Sequence, residues 1–242
     1  MGNLSTIFWR ELRSYFSSPI AYMFICAFLV FMGVWFFFYV SFFQRPNPDL
    51  RLYFFMLPFS YAILIPAVTM RLWSEEKRSG TAELLMTFPM KSWQVVLGKF
   101  FAGYSVMVVT LVLTLLVPLT VATVVDLDWG VVATSYIGAL LLAAVYTAAG
   151  SWTSAITQNQ IVAFLLSMVL LFVLAGIGYP QVVDQVDRFV SGMGGTLGWF
   201  GTFYHFENFQ KGLLNPVDVV YALSMTAFFL VLNNFAVEWR KY

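Results

Sequence analysis

The sequence predicts an all-α membrane protein, because its composition is apolar and its longest apolar runs have the length of spanning helices. Of its 242 residues, 60% are hydrophobic and only 10% are charged, and the mean hydropathy is +0.80. Soluble domains carry about 25% charged residues, so this chain has too little charge to cover a water-exposed surface of its size. The apolar surplus requires lipid as its solvent.

Six apolar runs approach or exceed the roughly 20 residues that a bilayer requires, and they predict six transmembrane helices. They cover residues 19–43, 52–72, 94–125, 129–157, 161–179 and 217–237. The second contains Pro58 and Pro66, which neighbouring helices can accommodate in a membrane. The interiors of these spans are interpreted as free of Asp, Glu, Lys, Arg and His, which argues against a proton-coupled transporter.

Two further segments complete the predicted single transmembrane domain, residues 1–242. Residues 1–18 place apolar side chains at three- and four-residue spacing, which predicts an amphipathic helix lying flat on the membrane surface. A short solvated tail is the alternative. Residues 180–216 are rich in glycine and aromatic residues, which predicts one or two short external interfacial helices with rings at headgroup level. The last span is expected to begin with Asn215 as N-cap and Pro216 as its first residue.

The distribution of charge predicts the orientation and excludes several function classes. Nine of the 13 lysines and arginines fall on the side of both termini, which predicts that both termini are cytoplasmic. A net charge of +1 gives no case for a nucleic-acid partner. The sequence holds one cysteine and one histidine, His205, and no phosphate-binding loop, so neither a metal cluster nor catalytic residues are predicted. His205 is interpreted as a hydrogen-bonded polar residue.

The predicted cytoplasmic segment 73–91 is the clearest candidate for a binding element. A charged run ends at Gly80, and a short helix is predicted to follow, with Thr81 as N-cap, Glu83 in the first turn and Pro89 at its end. The apolar face of that helix is formed by Leu84, Leu85 and Phe88. Such a helix suits docking into a groove on another protein, and an ordinary solvated loop with a capped turn is an equal alternative.

Three strings resemble one known family. Residues 75–90, EEKRSGTAELLMTFPM, resemble the signature that links the second and third spans of type-2 ABC transporter permeases. Residues 10–22, RELRSYFSSPIAY, and residues 205–218, HFENFQKGLLNPVD, look most like the branch of gliding-motility and copper-maturation permeases. The resemblance covers the whole chain in order. It departs at the turn 158–160, which carries no charge.

The resemblance implies a division of labour between chains. Two permeases, as a homodimer or a heterodimer, would each rest on a separate ABC ATPase subunit that binds ATP and Mg²⁺, so no cofactor is expected in this chain. The residues expected to couple to that ATPase are Glu75, Glu76, Gly80, Thr81, Glu83, Leu84, Leu85 and Phe88. The residues expected to line a translocation path are Ser60, Tyr61, Thr69 and Ser167. Helix packing is an equally good explanation of these last four.

The expected setting is the bacterial inner membrane, with membrane lipid and a periplasmic or membrane accessory protein as further partners. The leading hypothesis is an ATP-driven, exporter-type permease. The first alternative is a mechanotransmitting scaffold that passes ATP-driven motion to an extracytoplasmic partner through residues 180–216 without moving a solute. The second is a passive channel or a secondary transporter, for which a neutral solute is the remaining option.

Overall fold

The computed structural model describes residues 2–39, 49–80, 91–190 and 192–238, and the regular structure within these ranges is entirely helical. This confirms the predicted all-α class. The helices are α1 (Gly2–Ser17), α2 (Pro19–Val34), α3 (Arg51–Phe55), α4 (Leu57–Thr69), α5 (Arg71–Arg78), α6 (Ser92–Thr114), α7 (Leu116–Val121), α8 (Trp129–Ile156), α9 (Gln160–Ile177), α10 (Pro180–Phe189), α11 (Met193–Trp199), α12 (Thr202–Gln210) and α13 (Pro216–Glu238). A π-helical turn, Trp35–Tyr39, continues α2.

Five helical stretches of the described chain are long and apolar enough to cross a membrane: Ala21–Tyr39, Ser92–Val121, Trp129–Ile156, Gln160–Ile177 and Pro216–Glu238. They correspond to five of the six predicted spans. The remaining prediction, residues 52–72, falls on α3, α4 and the start of α5, which are separated at Met56 and Met70. With 13 residues, α4 is about 20 Å long, less than the roughly 30 Å of a bilayer core. The count of six spans stays a prediction.

Helix α8 is the centre of the bundle and packs against α4, α9, α12 and α13. Its inward positions carry small side chains, including the fully buried Ala143 and Ala149, and small residues let helices approach closely in lipid. Aromatic rings fill the neighbouring space between α2, α4 and α8. The Tyr61 ring lies 5.6 Å from that of Phe28 and 6.4 Å from that of Tyr146.

The N-terminal helix has the predicted amphipathic character. Ile7 and Tyr15 are buried, whereas Ser5 and Arg13 on the opposite face are exposed. Helix α1 packs on α6 at Gly98, where an added Cβ would come within 2.8 Å of the Ile7 side chain. The close approach of the two helices therefore requires glycine at this position.

Residues 180–216, named the external section after their predicted side, contain in their described part three short helices, α10 to α12, where one or two were predicted. Helix α13 begins as predicted, with Pro216 first and the Asn215 side chain accepting a hydrogen bond from Val217 N at 3.2 Å. Burial divides the aromatic rings of this section into two groups, and their position at headgroup level stays a prediction. Trp199, Phe200 and Tyr204 are exposed, whereas Phe203, Phe206 and Phe209 are buried against the bundle. Helix α12 packs one face on α8 and α9, which buries Phe203, Phe206 and Phe209 and leaves Tyr204 exposed.

Candidate functional site

The predicted coupling residues begin at the end of α5. Glu75 and Glu76 lie in the last turns of this helix, and Gly80 follows it with a φ of 71°, a left-handed conformation that favours glycine. The predicted break in the charged run is therefore present. The other predicted coupling residues, Thr81, Glu83, Leu84, Leu85 and Phe88, lie outside the described residues.

Glu76 belongs to an ionic network that joins α5 to two other helices. Lys99 Nζ of α6 lies 2.9 Å from Glu76 Oε1 and 3.2 Å from Glu11 Oε1 of α1, and it donates to Leu72 O at 2.7 Å. These three acceptors match the three donors of an ammonium group. Arg10 Nη2 contacts the same two carboxylates from the outside, at 2.6 Å and 3.2 Å. Two cations and two carboxylates thus connect α1, α5 and α6.

Burial sets the strength of this network. The Lys99 side chain is only 1% exposed, and those of Glu11 and Glu76 are 15% and 20% exposed. Burial alone would raise the pKa of Glu11, but the neighbouring Lys99 and Arg10 charges outweigh it, and the pKa is lowered. Glu11 is therefore ionised at neutral pH and holds Lys99 in place.

Sequence reasoning missed Lys99 and Glu11. The ends of two predicted spans carry buried ionisable residues, Lys99 of α6 and Asp218 of α13. Lys99 contacts Glu11 of α1 and Glu76 of α5, and Asp218 contacts His205 of α12. Hydropathy alone does not bring these helices next to each other.

A second set of contacts fixes the junction between α1 and α2 to the junction between α4 and α5. The Tyr15 hydroxyl donates to Val68 O at 2.8 Å, and the Arg71 guanidinium lies 4.4 Å above the Tyr15 ring. Arg71 Nη1 also donates to the Ser18 hydroxyl at 3.2 Å. These contacts therefore connect the start of α5 to the end of α1 and to the start of α2.

The start of α5 is capped by a residue from another helix. Ser154 Oγ of α8 donates to Met70 O at 2.7 Å and accepts from the amides of Trp73 and Ser74 at 3.1 Å and 3.2 Å. These first-turn amides have no acceptor within their own helix, so Ser154 satisfies them from outside. Lys77 Nζ adds a contact to Ala155 O. The spacing of Ser151 and Ser154 on α8 is a sequence signal that could have identified this face.

The four predicted path residues are buried between helices of this one chain. Ser60 and Thr69 donate to carbonyls of their own helix, Leu57 O and Ile65 O. Thr69 and Ser167 meet across Gly150 of α8, where a Cβ would collide with the Thr69 hydroxyl and come 3.0 Å from Ser167 Oγ. The structure therefore brings Thr69 and Ser167 together and places Tyr61 in the aromatic layer described above.

A further polar contact lies beside this group. Asn233 of α13 is fully buried and donates to Ser151 Oγ at 2.7 Å. Together with Ser154, this contact places a polar face of α8 toward α4, α5 and α13. Sequence reasoning missed Asn233, although an asparagine within an apolar span is itself a signal of an interhelical hydrogen bond.

At the opposite end of the bundle, His205 forms a buried cluster with the last span. Its Nδ1 lies 2.6 Å from Asp218 Oδ1, its Nε2 lies 2.8 Å from Trp199 O, and its ring stacks on Tyr221 at 3.8 Å. Asn208 donates to the other Asp218 oxygen at 2.9 Å. The interpretation of His205 as a hydrogen-bonded polar residue is confirmed. This cluster fixes α12 to α13.

Comparison with known proteins gives one family. Residues 43–232, about four fifths of the chain, match the family model described as "ABC-2 family transporter protein". No curated protein matches the chain. The matched range contains the broken helix α3–α5, the central helix α8 and the external section, and it begins after α2.

Proposed function

We propose that a separate ATPase docks on residues 73–91 of this chain and drives it as an exporter-type permease. The premise is that the chain belongs to the ABC-2 transporter family. Membership in the family makes the chain a membrane-spanning permease subunit of an ABC transporter. The proposal adds where the ATPase binds, how its motion enters the bundle, and in which direction solute moves.

The observation that supports this proposal best is the shared position of Glu76. It lies near the start of the proposed docking segment, in the last turns of α5, and it contacts both Lys99 and Arg10. A displacement of the end of α5 would therefore pull on α6 through Lys99 and on α1 through Arg10. Because the three helices are tied by buried charges, they would move as one unit.

The proposed orientation follows from the same end of the molecule. Arg10, Arg71, Lys77 and Lys99 lie together around α1 and α5, and the buried contact of Asn233 brings the end of α13 near them. An excess of basic residues marks the cytoplasmic side of a bacterial inner-membrane protein. We place both termini and the docking segment there, with ATP and Mg²⁺ bound by the partner ATPase.

The proposed assembly contains two permease chains, each with its own ATPase. Thr69 and Ser167, together with Ser60 and Tyr61, would contribute to the translocation path when the helices α4 and α9 separate from α8. In the structure described here these side chains are closed against α8, so ATP-driven movement of α5 would be needed to expose them.

A second candidate function is a mechanotransmitting scaffold, and the external cluster favours it. His205 and Asn208 bind Asp218 at the start of α13, so α12 would follow any movement of the last span. ATP-driven motion could then act on an accessory protein outside the membrane without a solute crossing. The gliding-motility branch that the sequence resembles would fit this function.

The docking proposal is tested by co-purifying the chain with the cassette ATPase of its own organism. Glu83→Arg reverses a charge in the proposed docking helix and should abolish co-purification. Glu76→Gln should leave the complex intact but separate ATP hydrolysis from movement of the permease, because it loosens the ionic network. Glu207→Gln is the matched control, since it breaks an exposed pair with Lys211 at the other end.

Two outcomes separate the candidates. A Glu83→Arg complex that survives with coupled ATP hydrolysis would show that the ATPase does not dock there. In vesicles, ATP-dependent solute movement supports the exporter. Vesicles that hydrolyse ATP without moving any solute support the scaffold instead.

A further inference from the structure

A cleft of about 470 Å³ lies between α1, α5 and the start of α6. Its size falls within the range of small-molecule sites in proteins, roughly 300–1,000 Å³. Six charged side chains line it: Arg10, Glu11, Arg71, Glu75, Glu76 and Lys99. Three are cations and three are carboxylates, so the cleft as a whole is neutral.

Four of these six charges already neutralise one another. The network of Arg10, Glu11, Glu76 and Lys99 pairs two cations with two carboxylates. Arg71 and Glu75 are left, and within the described residues neither forms an ion pair. They stand four residues apart on α5, which places them one above the other on the same face of the helix.

Arg71 retains most of its hydrogen-bonding capacity. One of its five donors is used by the Ser18 hydroxyl, and one face of its guanidinium is covered by the Tyr15 ring. A guanidinium held in this way presents its remaining donors in the fork geometry that suits a phosphate. Glu75, one turn further along, is exposed and offers a carboxylate to a cation.

The cleft lies beside the start of the first candidate span. Ser18, which holds Arg71, directly precedes the first span, whose apolar helix begins at Ala21. Helix α1 exposes Trp9, which is 61% accessible, and tryptophan is favoured at the membrane–water interface. A ligand that reaches the cleft from the bilayer would therefore present its headgroup.

We propose that this cleft binds the headgroup of a phosphoethanolamine lipid, with the phosphate on Arg71 and the ammonium on Glu75. A zwitterion matches one unpaired cation beside one unpaired carboxylate, whereas an anionic headgroup would leave Glu75 uncompensated. A primary ammonium can donate hydrogen bonds to Glu75 and Ser14. A quaternary choline cannot, and the Tyr15 ring that would attract it is already covered by Arg71. Glu75 also belongs to the proposed docking segment, so the test below uses the purified chain without an ATPase, and its outcome does not depend on docking.

The test uses the purified full chain in nanodiscs of phosphatidylcholine with increasing fractions of phosphatidylethanolamine, its mono- and dimethylated forms, or phosphatidylglycerol. The readouts are the thermal unfolding midpoint and the lipid retained in native mass spectrometry. Ethanolamine lipid should raise the midpoint, and each added N-methyl group should reduce the effect. Arg71→Gln and Glu75→Gln should each weaken retention about tenfold, the loss expected for one charge-assisted hydrogen bond. Arg78→Gln, an exposed charge of α5 outside the cleft, should not.

Several results would overturn the proposal. Equal stabilisation by ethanolamine and choline lipids would remove the role of the ammonium, and this comparison needs no variant. Stronger binding of phosphatidylglycerol would indicate an anion site. Competition by soluble glycerophosphoethanolamine and by inorganic phosphate shows whether the cleft recognises the whole headgroup or the phosphate alone. The soluble headgroup should compete with the lipid, and equal competition by phosphate alone would contradict a zwitterion site.

Discussion

Replacing Lys99 by methionine tests the ionic network more directly than any other single change. Lys99 is 1% exposed and contacts Glu11, Glu76 and Leu72 O. Methionine keeps the length of the side chain and removes its charge. Two nearly buried carboxylates would then face each other with only Arg10, whose side chain is 50% exposed, to neutralise them.

The expected cost follows from the burial of the three partners. Removing one partner of a fully buried ion pair costs about 3–5 kcal/mol. Glu11 and Glu76 keep some access to water, which screens their repulsion, so we expect about 2–4 kcal/mol for Lys99→Met. In a chain of this length, 1 kcal/mol corresponds to about 2–4 °C in unfolding temperature, which predicts a fall of roughly 4–16 °C.

The assay is unfolding of the purified chain in detergent, followed by near-ultraviolet circular dichroism. Lys211→Met is the control, because Lys211 forms an exposed pair with Glu207 at 2.8 Å and should contribute less than about 1 kcal/mol. The double variant Lys99→Met/Glu76→Gln should recover part of the lost unfolding free energy, because one of the two carboxylates that faced Lys99 becomes neutral. Equal effects of Lys99→Met and Lys211→Met would refute the reasoning.

Three further predictions concern other parts of the molecule. The pKa of Glu11 is lowered, so the contribution of Glu11 to stability is complete above the ordinary pKa of 4.5 and is lost as the pH falls through the lowered pKa. The stability difference between wild type and Glu11→Gln should therefore shrink on acidification below about pH 4.5. A constant difference would contradict this. Gly150→Ala should lower the unfolding temperature because its Cβ meets a hydroxyl of α4, whereas Gly176→Ala, with open space at its Cβ, should leave it unchanged or slightly raised. Asp218→Asn should cost about 2–4 kcal/mol and speed amide hydrogen exchange in α12, since His205 loses its carboxylate; unchanged exchange would mean that other contacts hold α12 in place.

The sequence was sufficient for the parts of the fold that hydropathy determines. Helices α6, α8, α9 and α13 lie where uninterrupted apolar runs predict them, and Pro216 opens the last span beside its Asn215 cap. The second predicted span is different. Its break at Met56 is followed by Pro58 in the first turn of α4, where a missing amide hydrogen is tolerated, whereas Pro66 lies inside the helix. The break at Met70 is stabilised from outside by Ser154 of α8.

The candidate site could be predicted only in part, for a related reason. Glu75, Glu76 and Gly80 stand out as a local charged run that ends in a turn. Glu11 and Lys99, by contrast, are 88 residues apart in sequence and meet only because α1 folds back along α6. A lysine near the end of an apolar run looks like an ordinary interfacial anchor until its buried partner is known.

The central claim, that an ATPase docks on the segment after α5, is tested most directly by photo-crosslinking. A photoreactive phenylalanine analogue placed at Leu84 or Leu85 in the assembled complex should crosslink to the ATPase subunit. The same analogue at Trp199, in the external section at the other end of the bundle, should not. Crosslinks to the ATPase from Trp199, or none from Leu84 and Leu85 in a complex that hydrolyses ATP, would contradict the account.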